Sequence, residues 1–447
     1  MKQARKIAVI GAGWAGLAAA ITAAQEGHKV CVFEASRHWG GRARTLPSTQ
    51  AISANFDNGQ HILIGAYQQT LTLMRAVGVN IDAALWRTPL KLLDANGKGL
   101  SLPNAPFPLN LLWGISFAKD WKVSDKWSLL QTAWQWQRMK FECNANFTVR
   151  DVCQGLSPQI WRDLIEPLCV SALNTPAHLA SGAVFLRVLK DAVFGPPGSS
   201  DLLLPRCDLG KIFPQSAIQW LESHNATCRL GTRVASIQLN QTGPERWKID
   251  EEGFDHVVVA TPAWDAAHLI APFNATWANT ATALSHEAIA TVYIQAHRNL
   301  KLPQPMLALA SDPQAPAQFV FDRGQLMANG STPGLLAFVV SATEDQKQDL
   351  EKKVLKQAKA LLRTMNAESP PSEQLEIVQT VVEKRATFAC IPHLIRPNAT
   401  AFEGISVCGD YVAGPYPATL EGAVMSGIEA GHLAANTCKG RQLGQLA

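Results

Sequence analysis

Near the start of the chain, Gly11-Ala12-Gly13-Trp14-Ala15-Gly16 lies between an apolar run, Ile7 to Ile10, and a helix-forming run, Leu17 to Ile21. Glycines at that spacing, between a strand and a helix, suit phosphate binding. Gly11 and Gly13 leave room for backbone N–H groups to approach a pyrophosphate, and Gly16 lets the helix sit close on the strand. The positive end of the helix then faces the phosphates. A second expected strand, Lys29 to Phe33, ends at Glu34 and Ala35, with Glu34 placed 23 residues after Gly11. A carboxylate there binds a ribose hydroxyl and repels a 2′-phosphate. These spacings point to dinucleotide binding.

A second glycine pair, Gly40-Gly41-Arg42, follows six residues after Glu34. A nicotinamide domain has no use for it, whereas the extended pyrophosphate of FAD can take the extra backbone donors and the bidentate charge of Arg42. Far along the chain, the expected strand Ile405 to Cys408 runs into Gly409-Asp410, and Thr419-Leu420-Glu421-Gly422 opens a helix. Asp410 is placed to close a flavin site, and the start of that helix, Leu420 and Glu421, to meet the ribityl chain or the ring.

This order of motifs resembles the amine oxidase and phytoene desaturase superfamily of flavoproteins, over nearly the whole chain. Three stretches resemble its squalene-associated branch, the hydroxysqualene dehydroxylases: Asp57-Asn58-Gly59-Gln60-His61 through Gly65, Gly195-Pro196-Pro197-Gly198 leading to Leu204-Pro205-Arg206, and Gly409-Asp410-Tyr411 with Tyr416-Pro417-Ala418-Thr419. The resemblance implies tightly bound FAD, a polyisoprenoid lipid substrate, and an α/β fold. That fold has a Rossmann-type FAD-binding domain, glutathione-reductase-like and of amine oxidase type, with an α+β substrate domain. It also implies that Val234 offers a backbone contact to adenine and that Ala260-Thr261-Pro262 forms the turn beneath the dinucleotide.

The flavin carries the redox chemistry in such enzymes, so few protein side chains are obligatory. If the activity is dehydroxylation, the departing hydroxide needs a proton or a strong hydrogen-bond donor in an apolar pocket. His61, Arg206, Asp208, Tyr411 and Tyr416 are the candidates. Each has a plain alternative: His61 caps a turn after Gly59, Arg206 and Asp208 pair with each other, and the tyrosines line a wall. A carotenoid-type desaturase would run the flavin in the opposite direction. Amine oxidation and a non-catalytic prenyl-binding role are the remaining readings, the last disfavoured by the intact glycines and Asp410.

The elements that position these residues are discontinuous in sequence. Strands are expected at Thr232 to Ile237, Trp247 to Asp250 and His256 to Ala260. The FAD domain is therefore assigned to 1–95, 205–265 and 395–440, and the substrate domain to 96–204 and 266–394. The last residues, Gly440 to Ala447, are expected to be loose.

Composition sets bounds on function. Of the 447 residues, 47% are apolar and only 17% charged, and the net charge of +4 is too small and dispersed to suggest nucleic acid. The nine cysteines form no Cys-x-x-Cys pair and no metal spacing, which suits a reducing compartment. No secretory segment precedes the first strand, and no apolar run reaches the length of a membrane span. Five of the 13 tryptophans, at 113, 121, 127, 134 and 136, are interleaved with Lys119, Lys122, Lys126, Arg138 and Lys140. Aromatic rings beside basic groups suit a membrane interface, although a helical stripe of aromatics also suits a core. Residues 101–140 are thus a candidate for monotopic contact, and the expected location is cytoplasmic, peripheral on the inner face of the cytoplasmic membrane. No second dinucleotide motif is present, so electrons must reach FAD from an unidentified donor.

Overall fold

The computed structural model describes residues 4–46, 55–241, 243–328, 330–365 and 375–436. The expected loose residues Gly440 to Ala447 lie outside them, as does Cys438. A six-stranded sheet runs in the order Thr227–Leu230, Lys29–Glu34, Lys6–Ile10, His256–Val259, Ile405–Val407, Thr400–Phe402. All neighbours are parallel except the last pair. This is a mixed α/β fold with a Rossmann-type parallel sheet.

Side-chain alternation along the first strand explains its two layers. Ile7 and Val9 enter one core with Leu17, Ala18 and Ile21 of the helix Trp14–Gln25, while Ala8 and Ile10 enter another with Trp247 and Phe254. A strand covered on both faces must be apolar throughout, as Ile7 to Ile10 is. Trp247 belongs to a three-stranded antiparallel sheet, Gln238–Leu239, Trp247–Ile249 and Glu252–Phe254.

One expected strand is corrected. Thr232 to Ile237 is in no strand; the chain pairs earlier, through Thr227–Leu230, at the edge of the parallel sheet. Cys228 and Arg229 there are half-buried and little apolar run marks them, so the sequence signal was weak.

A second, antiparallel sheet of five strands has the order Met306–Ala308, Phe319–Asp322, Leu335–Ser341, His286–Gln295, Glu376–Phe388. The helix Lys347–Thr364 covers one face, packing Leu350, Val354 and Ala358 onto Val292, Ile294 and Phe338. The stretch from 109 to 192 is helical and includes Leu109–Phe117, Val123–Arg138 and Gly182–Ala192. No described helix is long and apolar enough to cross a membrane.

Candidate functional site

The glycine turn folds as its spacing requires. Gly11 has φ +107°, and a Cβ there would lie 2.6 Å from Ala260 O; at Gly16 it would lie 1.9 Å from Gly11 O. A Cβ on Gly13 would meet nothing closer than Gly41 Cα at 3.8 Å, so the space above Gly13 is open. Gly13 begins the helix Trp14–Gln25 with no side-chain cap and no acidic residue in its first turn. Unsatisfied N–H groups at an open, uncapped helix start form the cradle that a pyrophosphate fits.

The second glycine pair is packed on the first. Gly40 N donates to Ala12 O at 2.9 Å, and Gly41, with φ +62°, sits where a Cβ would come within 3.0 Å of Gly13 Cα. Trp14 is buried and its Nε1 donates to Ala43 O at 3.1 Å, so its ring clamps this loop and leaves only its backbone for a cofactor. Glu34 accepts from Ala12 N at 2.7 Å and from Ser36 N at 2.8 Å. A carboxylate offers about four acceptor positions, so lone pairs remain for ribose hydroxyls. Ala35 follows it at the strand end. Val234 is buried in the extended segment after the edge strand, and Ala260 leaves the sheet beside Gly11.

Arg42 and Asp410, far apart in sequence, form an ion pair, and Arg42 also donates to Ala386 O at 2.5 Å. Burial alone would lower the guanidinium's pKa; the Asp410 carboxylate, with Glu383, outweighs it and raises the pKa. Gly409 N donates to Ser426 Oγ at 3.2 Å, which fixes the Gly409-Asp410 turn against the helix Leu420–Asn436. A groove of about 640 Å³ opens beside Asp410 and is lined by Arg396, Tyr416, Met425 and Leu433 among others.

The Glu421 side chain has partners of its own. Its carboxylate accepts from Gln69 N and Thr70 N, both at 2.9 Å, and from Thr70 Oγ1 at 2.6 Å. It caps the helix Gln68–Ala76, whose own N-cap residue, Tyr67, supplies no side-chain bond. The carboxylate is therefore engaged with a neighbouring helix, and the expected cofactor contact at Glu421 falls to its backbone at the helix start.

The five proton-donor candidates differ in how far their polar atoms are already bonded. His61 is half-buried, its Nδ1 lies 3.1 Å from Gly59 O, and loss of hydration lowers its pKa. A carbonyl only accepts, so Nδ1 carries the hydrogen and neutral His61 presents a lone pair at Nε2. Tyr411 donates to Thr261 O at 3.2 Å, and Tyr416 to Asp191 Oδ2 at 2.8 Å. Asp208 takes Asn55 Nδ2 at 3.1 Å and Lys211 at 3.5 Å, and it does not pair with Arg206. Arg206 is half-buried and its side chain makes no hydrogen bond or ion pair among the described residues.

Sequence reading passed over a cluster beside His61. Asp57 and Arg323 form an ion pair at 2.9 Å, each 1% exposed. Asp57 Oδ1 also accepts from Leu209 N at 2.9 Å, its carbonyl from Tyr293 Oη at 3.1 Å, and Arg323 Nη1 reaches Gln60 Oε1 at 3.3 Å. The Asp57–His61 loop is thereby fixed to the antiparallel sheet. Asp57 lay in a motif already singled out, whereas nothing local marked Arg323. Among the described residues no group of three or more His, Cys, Asp or Glu side chains is placed to hold a metal ion.

The family described as flavin containing amine oxidoreductase matches residues 14–432. Hydroxysqualene dehydroxylase of Zymomonas mobilis is 25% identical over 95% of this chain and 98% of its own. A 15-cis-phytoene desaturase of an Oncidium hybrid is 23% identical over 95% of this chain and 77% of its own. Among solved structures, an oxidoreductase from Methanosarcina mazei superposes with a TM-score of 0.69 at 15% identity, covering 95% of this chain and 99% of that one.

Proposed function

Since the chain belongs to the flavin containing amine oxidoreductase family, we propose that it is an FAD-dependent hydroxysqualene dehydroxylase, replacing the hydroxyl of an allylic isoprenoid alcohol by hydrogen to give squalene. It is a flavin oxidoreductase, with FAD as its cofactor. The observation that carries the finer reading is the match to a hydroxysqualene dehydroxylase that runs nearly end to end in both chains, at 95% and 98%. The desaturase match, by contrast, covers 77% of that protein.

Bound in its two-electron-reduced form, FAD would supply both the hydride that replaces the hydroxyl and, directly or through solvent, the proton with which the hydroxyl leaves as water. The glycine turn and the first-turn amides of Trp14–Gln25 hold the pyrophosphate, Glu34 the ribose, and Arg42 with Asp410 the far side of the dinucleotide. His61 accepts the substrate hydroxyl's hydrogen at Nε2 and so orients it. Arg206, whose side-chain donors have no partner among the described residues, stabilises the departing oxygen by a charge-assisted hydrogen bond. We assign 1–95, 205–265 and 395–440 to FAD binding and 96–204 with 266–394 to the substrate. Electrons come from a donor outside the chain.

The test is a single turnover without oxygen. The bound flavin is reduced, hydroxysqualene is added, and the return of oxidised-flavin absorbance is followed while lipids are extracted. Reoxidation with stoichiometric squalene is the expected result. A fully loaded flavin that stays reduced would overturn the reading. Bleaching of the oxidised flavin by phytoene would then establish the desaturase direction, the alternative that the Oncidium match favours.

A further inference from the structure

The helix Leu109–Phe117 carries its apolar stripe on the outside. Leu109, Leu112, Trp113 and Phe117 are 59%, 44%, 60% and 67% exposed, while the buried side is Asn110, Gly114 and Ile115. A stripe at i, i+3, i+4 and i+8 ordinarily turns to the core. The helix cannot roll to bring it there, because a Cβ on Gly114 would lie 2.7 Å from Leu102 Cδ2 and 2.9 Å from Ser101 O. That close approach locks the glycine side inward.

The next helix, Val123–Arg138, extends the same face. Leu129, Ala133 and Trp136 point inward, with Trp136 Nε1 donating to Val152 O at 2.8 Å, whereas Val123, Trp127 and Trp134 are 84%, 60% and 58% exposed. Lys126 Nζ reaches across to Ser116 O at 2.7 Å, which sets the two stripes side by side. The five interleaved tryptophans thus divide: Trp121 and Trp136 are core, and Trp113, Trp127 and Trp134 are surface.

The charge around these rings is predominantly basic, with Glu142 an exposed acid beside Lys140. Lys119, Lys122 and Lys140 are exposed, and the Arg138 guanidinium lies 4.8 Å from the centre of the Trp134 ring. Of the intervening acids, Asp125 is buried and accepts from Lys122 N at 2.9 Å, and Asp120 is paired with Lys98. What faces outward is an apolar platform rimmed by cations.

We propose that the outer faces of Leu109–Phe117 and Val123–Arg138 dock this protein on the surface of an anionic lipid bilayer, the tryptophan rings entering the headgroup region and the lysines meeting lipid phosphates. Aromatic rings favour that depth and basic side chains favour an anionic surface. Monotopic contact accords with the lack of a spanning helix among the described residues. The proposal stands on exposure and charge, independently of the reaction proposed above.

Vesicle co-sedimentation of the full, FAD-loaded chain tests it without turnover. Binding to phosphatidylcholine vesicles containing phosphatidylglycerol, weakened by salt and by removal of the anionic lipid, is expected. The double substitution Trp113→Ser, Trp127→Ser should lower vesicle partitioning by about tenfold or more, as expected for two lost apolar burials. Its flavin content and thermal midpoint should stay unchanged. Lys119→Gln with Lys122→Gln should weaken binding to anionic vesicles only. Absence of wild-type binding, or unchanged binding by the tryptophan variant, would overturn the proposal. So would a concentration-dependent dimer in light scattering that the same tryptophan substitutions dissociate, which would assign the face to a second copy of the chain.

Discussion

His256 sits inside the parallel sheet, 3% exposed, with Nε2 3.0 Å from Ser406 Oγ. Burial first, then Arg5 and Arg246, lower its pKa from 6.5 to about 3. The folded pKa is the lower one, so as pH falls below the ordinary value the unfolded chain takes up the proton first and stability drains away until the folded pKa is reached. At one pH unit per 1.4 kcal/mol, this group alone costs about 2–3 kcal/mol between pH 7.5 and 4.5. His256→Asn removes the titration. Urea unfolding at the two pH values should show the wild type losing about that much more than the variant. Both histidines stand at the start of an apolar run, Val257 to Ala260 for His256 and Ile62 to Ile64 for His61, so local sequence did not give their burial. Only packing decided that one is sealed in the sheet and the other half-buried beside the candidate site.

At the scale of elements, the two helices that flank the cofactor cradle are held in contact by small residues. A Cβ on Gly427 would lie 2.1 Å from Ala15 O, and one on Gly431 would lie 2.8 Å from Ala19 O. The Ala-rich run of Trp14–Gln25 and the glycines of Leu420–Asn436 are therefore two halves of one close packing, and the second helix also delivers Glu421 to cap Gln68–Ala76. Gly427→Val drives a branched side chain into backbone and should cost about 3 kcal/mol or more, with Gly427→Ala costing less. Denaturant midpoints check the order, and flavin content after purification should fall in parallel. The strand, the turn and the helix of the N-terminal motif were legible because each depends on neighbours in sequence. The edge strand was misplaced by a few residues because its pairing partner, Lys29–Glu34, lies almost 200 residues away and its own residues are not strongly apolar.

Across the whole molecule, the chain leaves the parallel sheet and returns to it three times, and the pair of Asp57 and Arg323 ties the two-stranded ribbon Thr45–Leu46 and Phe56–Asp57 to the end of the antiparallel-sheet strand Phe319–Asp322. The pair is fully buried, and Arg323 Nε and Nη2 find no hydrogen-bond partner among the described residues. Desolvating both charges with part of the guanidinium unsatisfied makes this a costly joint to hold and a costlier one to break. Arg323→Met should destabilise by about 3–5 kcal/mol by leaving a lone buried carboxylate, and adding Asp57→Asn should restore most of the loss. A double-mutant cycle in denaturant measures the coupling. If the Arg323→Met cost is small, the carboxylate is being solvated or protonated and the joint is not electrostatic.

The sequence by itself determined the dinucleotide cradle, because glycine spacing, strand and helix form a local unit whose chemistry follows from short-range sterics. It also singled out Arg42 and Asp410, in motifs at opposite ends of the chain, but gave no sign that they form an ion pair. The tertiary structure alone decided that Glu421 serves a helix, that Tyr411 and Tyr416 have already spent their hydroxyl hydrogens, and that Trp113 faces outward while Trp136 faces inward. Each of these depends on which distant surface a side chain meets. Residue type fixes what a group can do; long-range packing fixes which of its bonds are still available.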